Sequence, residues 1–301
     1  MGRLRSGWTS VRGDRATDGS QKLAQAPGFT ETVRQPQMQP ISPPNRVSAE
    51  VFHQELHGSH EALLLWARGQ TGLVECVVKL SARLGECPTP YLCEWVATTV
   101  ARALGVHVPD PLAVSIGAPF ANSLTDESTR GAARSSLGVA FGSRFMPGYV
   151  QWTPTAGVHP EQRDAASLLF AFDVFVHNYD RTEGNPNLLV RREDLLAIDH
   201  DLTFEFVYPS SCANPELDPR RDVVDKHAFR VPLKGKLSDL ADFRQAVRGL
   251  TDEWLATLMS ATPPEWMVGH GASVLGRIVD VVKGRRDHVE DWLRQVETWM
   301  E

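Results

Sequence analysis

The sequence predicts an α+β protein of two lobes, β-rich in its first half and mainly α-helical in its second. Three observations lead there. Two apolar runs, ALLLWA and VECVVKL, flank the turn signal RGQTG within residues 62–80, which is the pattern of a β-hairpin. Apolar residues recur at helical spacing in YLCEWVATTVARALGV, while LLFAFDVFV is bulky on every side, as a buried helix is. Beyond residue 222 the chain reads as helix after helix: DLADFRQAVRGL, TDEWLATLMS and a long helix from about Ala272 to Met300.

Taken in order, residues 1–46 contain QPQMQPISPPN and few large apolar side chains. Such a segment cannot bury enough surface to offset its ordering entropy, so it is expected to be disordered. Residues 47–146 make the first lobe. Its hairpin is followed by a helix on which Cys93, Val96, Ala97, Val100 and Leu104 share one face. Pro88 and Pro90 stand before that helix and Gly105 after it, as start and stop signals. VHVPDPLAVSI and SLGVAFGSRFM read as strands, with a polar loop, ANSLTDESTRGAARSS, between them. Residues 147–301 make the second lobe. A buried helix over 160–177 leads into a polar stretch, then a strand, turn and strand through NLLV, RRED and LLAID.

Bulk properties exclude several function classes. The net charge of −6 offers no broad surface for nucleic acid or for an anionic membrane. No apolar run approaches the ~20 residues that span a bilayer, and the opening MGRLRSGWTS has no apolar signal core. Cysteines 76, 87, 93 and 212 show no CxxC spacing, so they read as reduced thiols of a cytoplasmic protein.

The chemistry concentrates in FDVFVHNYDRTEGNPNLLV, residues 172–190. A helix ending near His177 delivers Asp180 at its edge. A hairpin centred near residue 193 would set position 187 opposite 199, bringing Asp199 beside Asn187, Asn185 and Asp180. Oxygen ligands without thiolates suit magnesium, and a carboxylate that does not bind metal can deprotonate an attacking hydroxyl. Asp173, inside the apolar helix, needs a partner and is expected to brace the loop. Bland readings compete: Asp180 as a turn residue, Lys79 as an edge-strand lysine, Glu94 as a solvated helix residue, Asp201 as the cap of the next turn.

FDVFVHNYDRTEGNPNLLV followed by LLAIDHDLTF resembles the HipA-like kinases, especially the stand-alone kinase domain of bacterial proteins. More distantly, the D-R-x-x-x-N plan followed by I-D is similar to phosphatidylinositol 3/4-kinases. The resemblance implies a two-lobed, protein-kinase-like fold that binds ATP and Mg2+ between its lobes. It makes Asp180 the catalytic residue, Asn185 a metal ligand with Asn187 as its competitor, and Asp199 the magnesium ligand with Asp201 as its competitor. Lys79 would hold the phosphates, paired with Glu94, and Arg181 would orient Asp180 or a loop carbonyl. Adenine would meet the backbone of Phe141, Gly142 and Ser143, and HGSH, with Gly58 and Ser59, would cover the phosphates. The implied acceptor is a Ser/Thr hydroxyl on protein, the chain itself included, with a small regulatory protein as a further partner. A small-molecule or lipid hydroxyl is the enzymatic alternative, and a non-catalytic nucleotide-binding scaffold the other. His177-Asn178-Tyr179, Thr182 and the single glycine of HGSH depart from the family pattern. A rival chemistry reads His177, Asp180, Asp199, His200 and Asp201 as a dinuclear metal site for hydrolysis.

Overall fold

A computed structural model describes residues 38, 40–56, 61–85, 87–208 and 214–301, all within one compact unit. The predicted hairpin is present as β2 (Leu63–Gly69) and β3 (Gly72–Val78), joined through residues 70–71 with Gly69 paired to Gly72. It belongs to a closed barrel. β1 (Asn45–Glu55) pairs antiparallel with β2 and parallel with β4 (Pro111–Ile116). β5 (Gly138–Arg144) closes the ring between β4 and β3. β1 was not legible in the sequence because most of its residues face solvent on both sides, so no apolar alternation marks it. It takes in Asn45 and Arg46, which composition had assigned to the disordered segment.

Helix α1 (Thr89–Ala103) is buried on every face from Thr89 to Ala101. It packs between the barrel and the helical region, with the Trp95 indole donating to Thr262 Oγ1 at 3.0 Å. Gly105 ends it at φ +84°, a conformation that favours glycine. The stretch expected to be a polar loop folds instead as α2 (Ala118–Ser123) and α3 (Glu127–Arg134). The Asp126 side chain caps α3 by accepting from the Thr129 amide at 2.8 Å. α3 buries only Thr129 and Ala133, so apolar periodicity could not reveal it.

The helical C-terminal region begins after β6 (Val150–Gln151) with α4 (Arg163–Phe175), the expected buried helix. β7 (Leu188–Arg191) and β8 (Asp194–Ala197) form the expected second hairpin, with β6 on its edge. Its register differs by one residue. Arg191 pairs with Asp194, so Asn187 faces Ile198, whose amide donates to the Asn187 carbonyl at 3.0 Å. The cause is a two-residue turn with Arg192 at φ +58°, tighter than the turn assumed from the sequence. Then come α5 (Arg221–Lys226), α6 (Arg230–Leu233), α7 (Ala241–Arg248) and α8 (Asp252–Ala261). The expected long terminal helix is two, α9 (Gly271–Asp287) and α10 (Val289–Met300). The break at His288 lets Trp292 donate to the Arg285 carbonyl at 2.9 Å. A single apolar cluster runs from the barrel through α1 and α4 to α10. None of the described helices is long and apolar enough to cross a membrane.

Gly142, in the middle of β5, has no room for a side chain. A Cβ there would lie 2.7 Å from Val114 Cγ2 and 3.1 Å from the Val77 carbonyl oxygen. Gly142→Ala is expected to destabilise the protein by about 1–3 kcal/mol. Gly276→Ala, where a Cβ meets nothing within 4 Å inside α9, is expected to be neutral or stabilising by about 0.4–1 kcal/mol. Urea denaturation of the two variants checks the contrast.

Candidate active site

Burying an ammonium is costly unless carboxylates surround it. Lys79 directly follows β3 and is 8% exposed. Its amide donates to the Phe141 carbonyl at 3.2 Å, and its own carbonyl accepts from the Tyr91 hydroxyl at 2.8 Å. Thus fixed, the side chain meets three carboxylates. Nζ lies 2.7 Å from Glu94 Oε1, 2.5 Å from Asp199 Oδ1 and 2.8 Å from Asp201 Oδ2. Burial would lower the lysine pKa, but the three carboxylates outweigh it and raise it well above the ordinary value. For Glu94 burial works upward, and Lys79 overcomes it and holds the carboxyl below its usual range.

The second charged cluster builds the loop after α4. Arg181 has no exposed side-chain surface and donates from Nε to Asp173 Oδ2 at 2.6 Å. Its other nitrogens reach the carbonyls of Pro186 at 3.1 Å and Ile198 at 3.4 Å, the Asn187 carbonyl, and His200 Nε2 at 3.2 Å. Asp173 also accepts from Asn178 Nδ2 at 2.7 Å and lies 3.1 Å from His227 Nε2. The Phe229 amide donates to His227 Nδ1 at 2.9 Å, so a neutral His227 carries its proton on Nε2 and gives it to Asp173. Burial pushes the Asp173 carboxyl up, yet Arg181 and His227 outweigh it and bring it to about 2.

This frame presents Asp180. Asn185 Nδ2 donates to its Oδ2 at 2.8 Å and Asn187 Nδ2 to the same oxygen at 2.9 Å. Both amides therefore restrain one oxygen, each leaving its carbonyl as the atom it can offer a cation. Oδ1 of Asp180 has no hydrogen-bond partner among the described residues. Burial raises the Asp180 pKa; Asn185 opposes the rise and the charge of Asp199 adds to it.

The structure brings together Lys79, Glu94 and Asp199, and separately Asp180, Asn185 and Asn187. Arg181 is a positioning residue: fully buried, it holds loop carbonyls and cannot touch a substrate. Phe141, Gly142 and Ser143 pair with β4, Gly142 and Ser143 pair with β3 as well, and the Phe141 carbonyl is taken by Lys79. Their backbone is committed to the barrel rather than free for adenine, because β5 is an interior strand. Gly58 and Ser59 lie outside the described residues, as does Cys212; Cys76, Cys87 and Cys93 are unpaired thiols. Asp201, weighed from the sequence as a turn cap or as a competitor of Asp199, is a partner of Lys79. His227 was missed, since nothing links it to the loop from 46 residues downstream of Arg181. His177 is fully buried against Arg285 Nη1 and the Asp218 carbonyl, each 2.9 Å from Nε2. Burial and Arg285 keep it neutral, and it does not join the acidic group, which leaves the dinuclear hydrolase without its first histidine.

One oxygen each from Glu94, Asp199 and Asp201 lies within 4.8 Å of the others. The Lys79 ammonium already stands among these three, so the oxygens that fit the magnesium the sequence led us to expect are those of the more exposed Asp199 and the Asn185 and Asn187 amide carbonyls, a hard, all-oxygen set. A family model for HipA-like kinases matches residues 78–283, from the end of β3 into α9. The chain belongs to the HipA-like kinase family. The match takes in every charged residue of the site. Among solved structures, that of a Helicobacter pylori proinflammatory kinase, CtkA, is similar at 11% identity and a TM-score of 0.37, covering 82% of this chain and 99% of the other. No curated protein matches by sequence.

In this HipA-like kinase the Asp173–Arg181 pair should be the most sensitive structural contact of the loop. Asp173→Asn leaves a buried guanidinium uncompensated and is expected to cost about 3–5 kcal/mol. Because the folded-state pKa of Asp173 is depressed, its contribution is complete above the unfolded value of about 3.9 and is lost as pH falls toward 2. Urea midpoints of wild type and variant should therefore differ at pH 7 and converge as the solution approaches pH 2.

Proposed function

We propose that this HipA-like kinase is an ATP- and magnesium-dependent phosphotransferase, two-lobed about the site, that acts on Ser/Thr hydroxyls of protein, its own chain included. The observation that carries the reading is the convergence on Lys79 of Glu94 from α1 and Asp199 from beyond β8. Separate segments meet there to form the ion pair and carboxylate that phosphoryl transfer uses. Asp199 and the amide oxygen of Asn185 or Asn187 would hold the metal, which neutralises phosphate charge. Residues 146–148, the first beyond the β5 ladder, replace Phe141–Ser143 as the adenine contact.

Asp180 acts as the proton acceptor. The acceptor hydroxyl gives its proton to Oδ1 while its oxygen bonds to the γ-phosphorus, and the bond from that phosphorus to the β–γ bridging oxygen breaks, releasing ADP. The two asparagines hold the carboxylate by Oδ2 so that Oδ1 stays turned to the acceptor. Three unpaired thiols support a reducing, cytoplasmic setting.

Transfer of labelled phosphate from ATP to the chain itself, to added protein and to lipid vesicles identifies the acceptor class. Asp180→Asn is expected to slow transfer by ~10²–10⁴ with nucleotide affinity little changed. Since the Asp180 pKa is raised and only the ionised form accepts a proton, activity should fall on acidification, with an acid limb above the ~3.9 of free aspartate. Nucleotide binding without transfer would make the chain a scaffold. No binding with metal present would end the kinase reading.

A further inference from the structure

The backbone of residues 146–148 is held at its two ends. Before it, the Arg144 amide donates to the Asp110 carbonyl and the Phe145 amide to the Glu75 carbonyl, each at 2.9 Å. After it, Val150 and Gln151 pair with β7. Met146, Pro147 and Gly148 themselves make no backbone hydrogen bond to a described residue. Side chains at the turn of the β7–β8 hairpin back them instead. The Tyr149 hydroxyl donates to Asp194 Oδ2, and His107 Nδ1, from the loop after α1, lies 2.7 Å from Asp194 Oδ1. Burial and the Asp194 carboxylate raise the Tyr149 pKa above its ordinary value, so the phenol keeps the proton it donates. The guanidinium carbon of Arg191 lies 4.5 Å from the Tyr149 ring centroid, and Nη2 donates to the Tyr149 hydroxyl at 3.3 Å. Arg191 also runs behind Gly148, where a Cβ would lie 3.8 Å from Arg191 Cδ. His107 and Met146 line one cavity of about 260 Å3.

An exposed His–carboxylate pair alone contributes little. Asp194 differs because one carboxylate joins the loop after α1, the residue that follows 146–148, and the hairpin whose other end leads to Asn187 and Asp199. We propose that Asp194 is a positioning residue for the nucleotide: through Tyr149 and His107 it holds residues 146–148 in the shape that receives adenine. It touches no substrate itself. The inference rests on the reading above that these residues contact adenine. Their backbone groups are uncommitted and the segment is pinned from behind, so a ligand finds them already ordered. Without Asp194 the ordering falls to the ligand. The loss should be the same for adenosine and ATP, because the phosphates meet other residues.

The test measures adenosine and Mg-ATP affinities by calorimetry for wild type, Asp194→Ala, Tyr149→Phe and the double variant, with steady-state kinetics beside it. Asp194→Ala should weaken adenosine and Mg-ATP by one common factor, about five- to tenfold, and raise KM for ATP to match while kcat at saturating ATP holds. Tyr149→Phe, which removes the hydroxyl and keeps the ring under Arg191, should lose a smaller factor, and adding it to Asp194→Ala should weaken binding no further. A folded Asp194→Ala with wild-type adenosine affinity would overturn the proposal, and so would one that loses kcat with its affinities intact. Should Asp194→Ala not fold, Tyr149→Phe decides, and unchanged adenosine affinity there refutes the proposal. The adenine contact has its own readout: adenosine should shift the amide NMR signals of Met146 and Gly148 in wild type. Signals that move, with Asp194→Ala binding as wild type does, refute the role of Asp194 alone. Signals that stay while adenosine binds refute the adenine contact and this inference with it. Wild type that binds no nucleotide refutes the kinase reading and, with it, both.

Discussion

The buried ammonium of Lys79 is the constraint on which the rest of the site depends. Desolvating it costs several kcal/mol unless anions replace its water. The anions come from α1, and from the segment just past β8. Those segments must therefore stop within contact of one atom, and the hydrogen bonds of the Lys79 backbone to Phe141 and Tyr91 fix where that atom is. This explains why α1 is buried on all sides. A helix that must carry Glu94 to the end of a barrel strand has the barrel on one face and the C-terminal helices on the other.

Two further buried cations extend the same logic. Arg181, neutralised by Asp173, ties the loop after α4 to the carbonyls around β7 and β8. Arg285 of α9 donates to the carbonyls of Val174, Pro215 and Asp218 and lies 4.6 Å from the Trp292 ring centroid. It thereby holds the C-terminal end of α4, from which Asp180 is delivered, against α9 and α10. Phosphoryl transfer asks a protein for position and charge more than for covalent chemistry. Three buried cations, each fixing a different segment, are one way to supply both.

Much of this was legible in the sequence. The β2–β3 hairpin, α1 and α4 each have a dense apolar pattern, and the polar stretch after α4 stood out by contrast. Asp173 declared its bracing role by being a carboxylate among phenylalanines. What stayed hidden lacked a local signature. β1 is solvent-exposed along most of its length, and α2 and α3 bury too little. The β7–β8 register depended on whether its turn had two residues or three. Phe141, Gly142 and Ser143 could be recognised as strand, but not as a strand paired on both edges. Asp201 could be weighed as a turn cap or as a metal ligand in competition with Asp199, but not as a partner of Lys79 until the fold showed which cation it faced.

The central claim is that Lys79 is a permanently charged ammonium whose surroundings respond to metal-bound nucleotide. NMR of the protein labelled with 15N at lysine Nζ observes that group directly. The account predicts that the Lys79 signal remains that of an ammonium well above the ~10.4 at which a free lysine titrates, and that it moves when Mg-ATP is added. A Lys79 signal that titrates at the ordinary lysine value, or that ignores Mg-ATP, would contradict it.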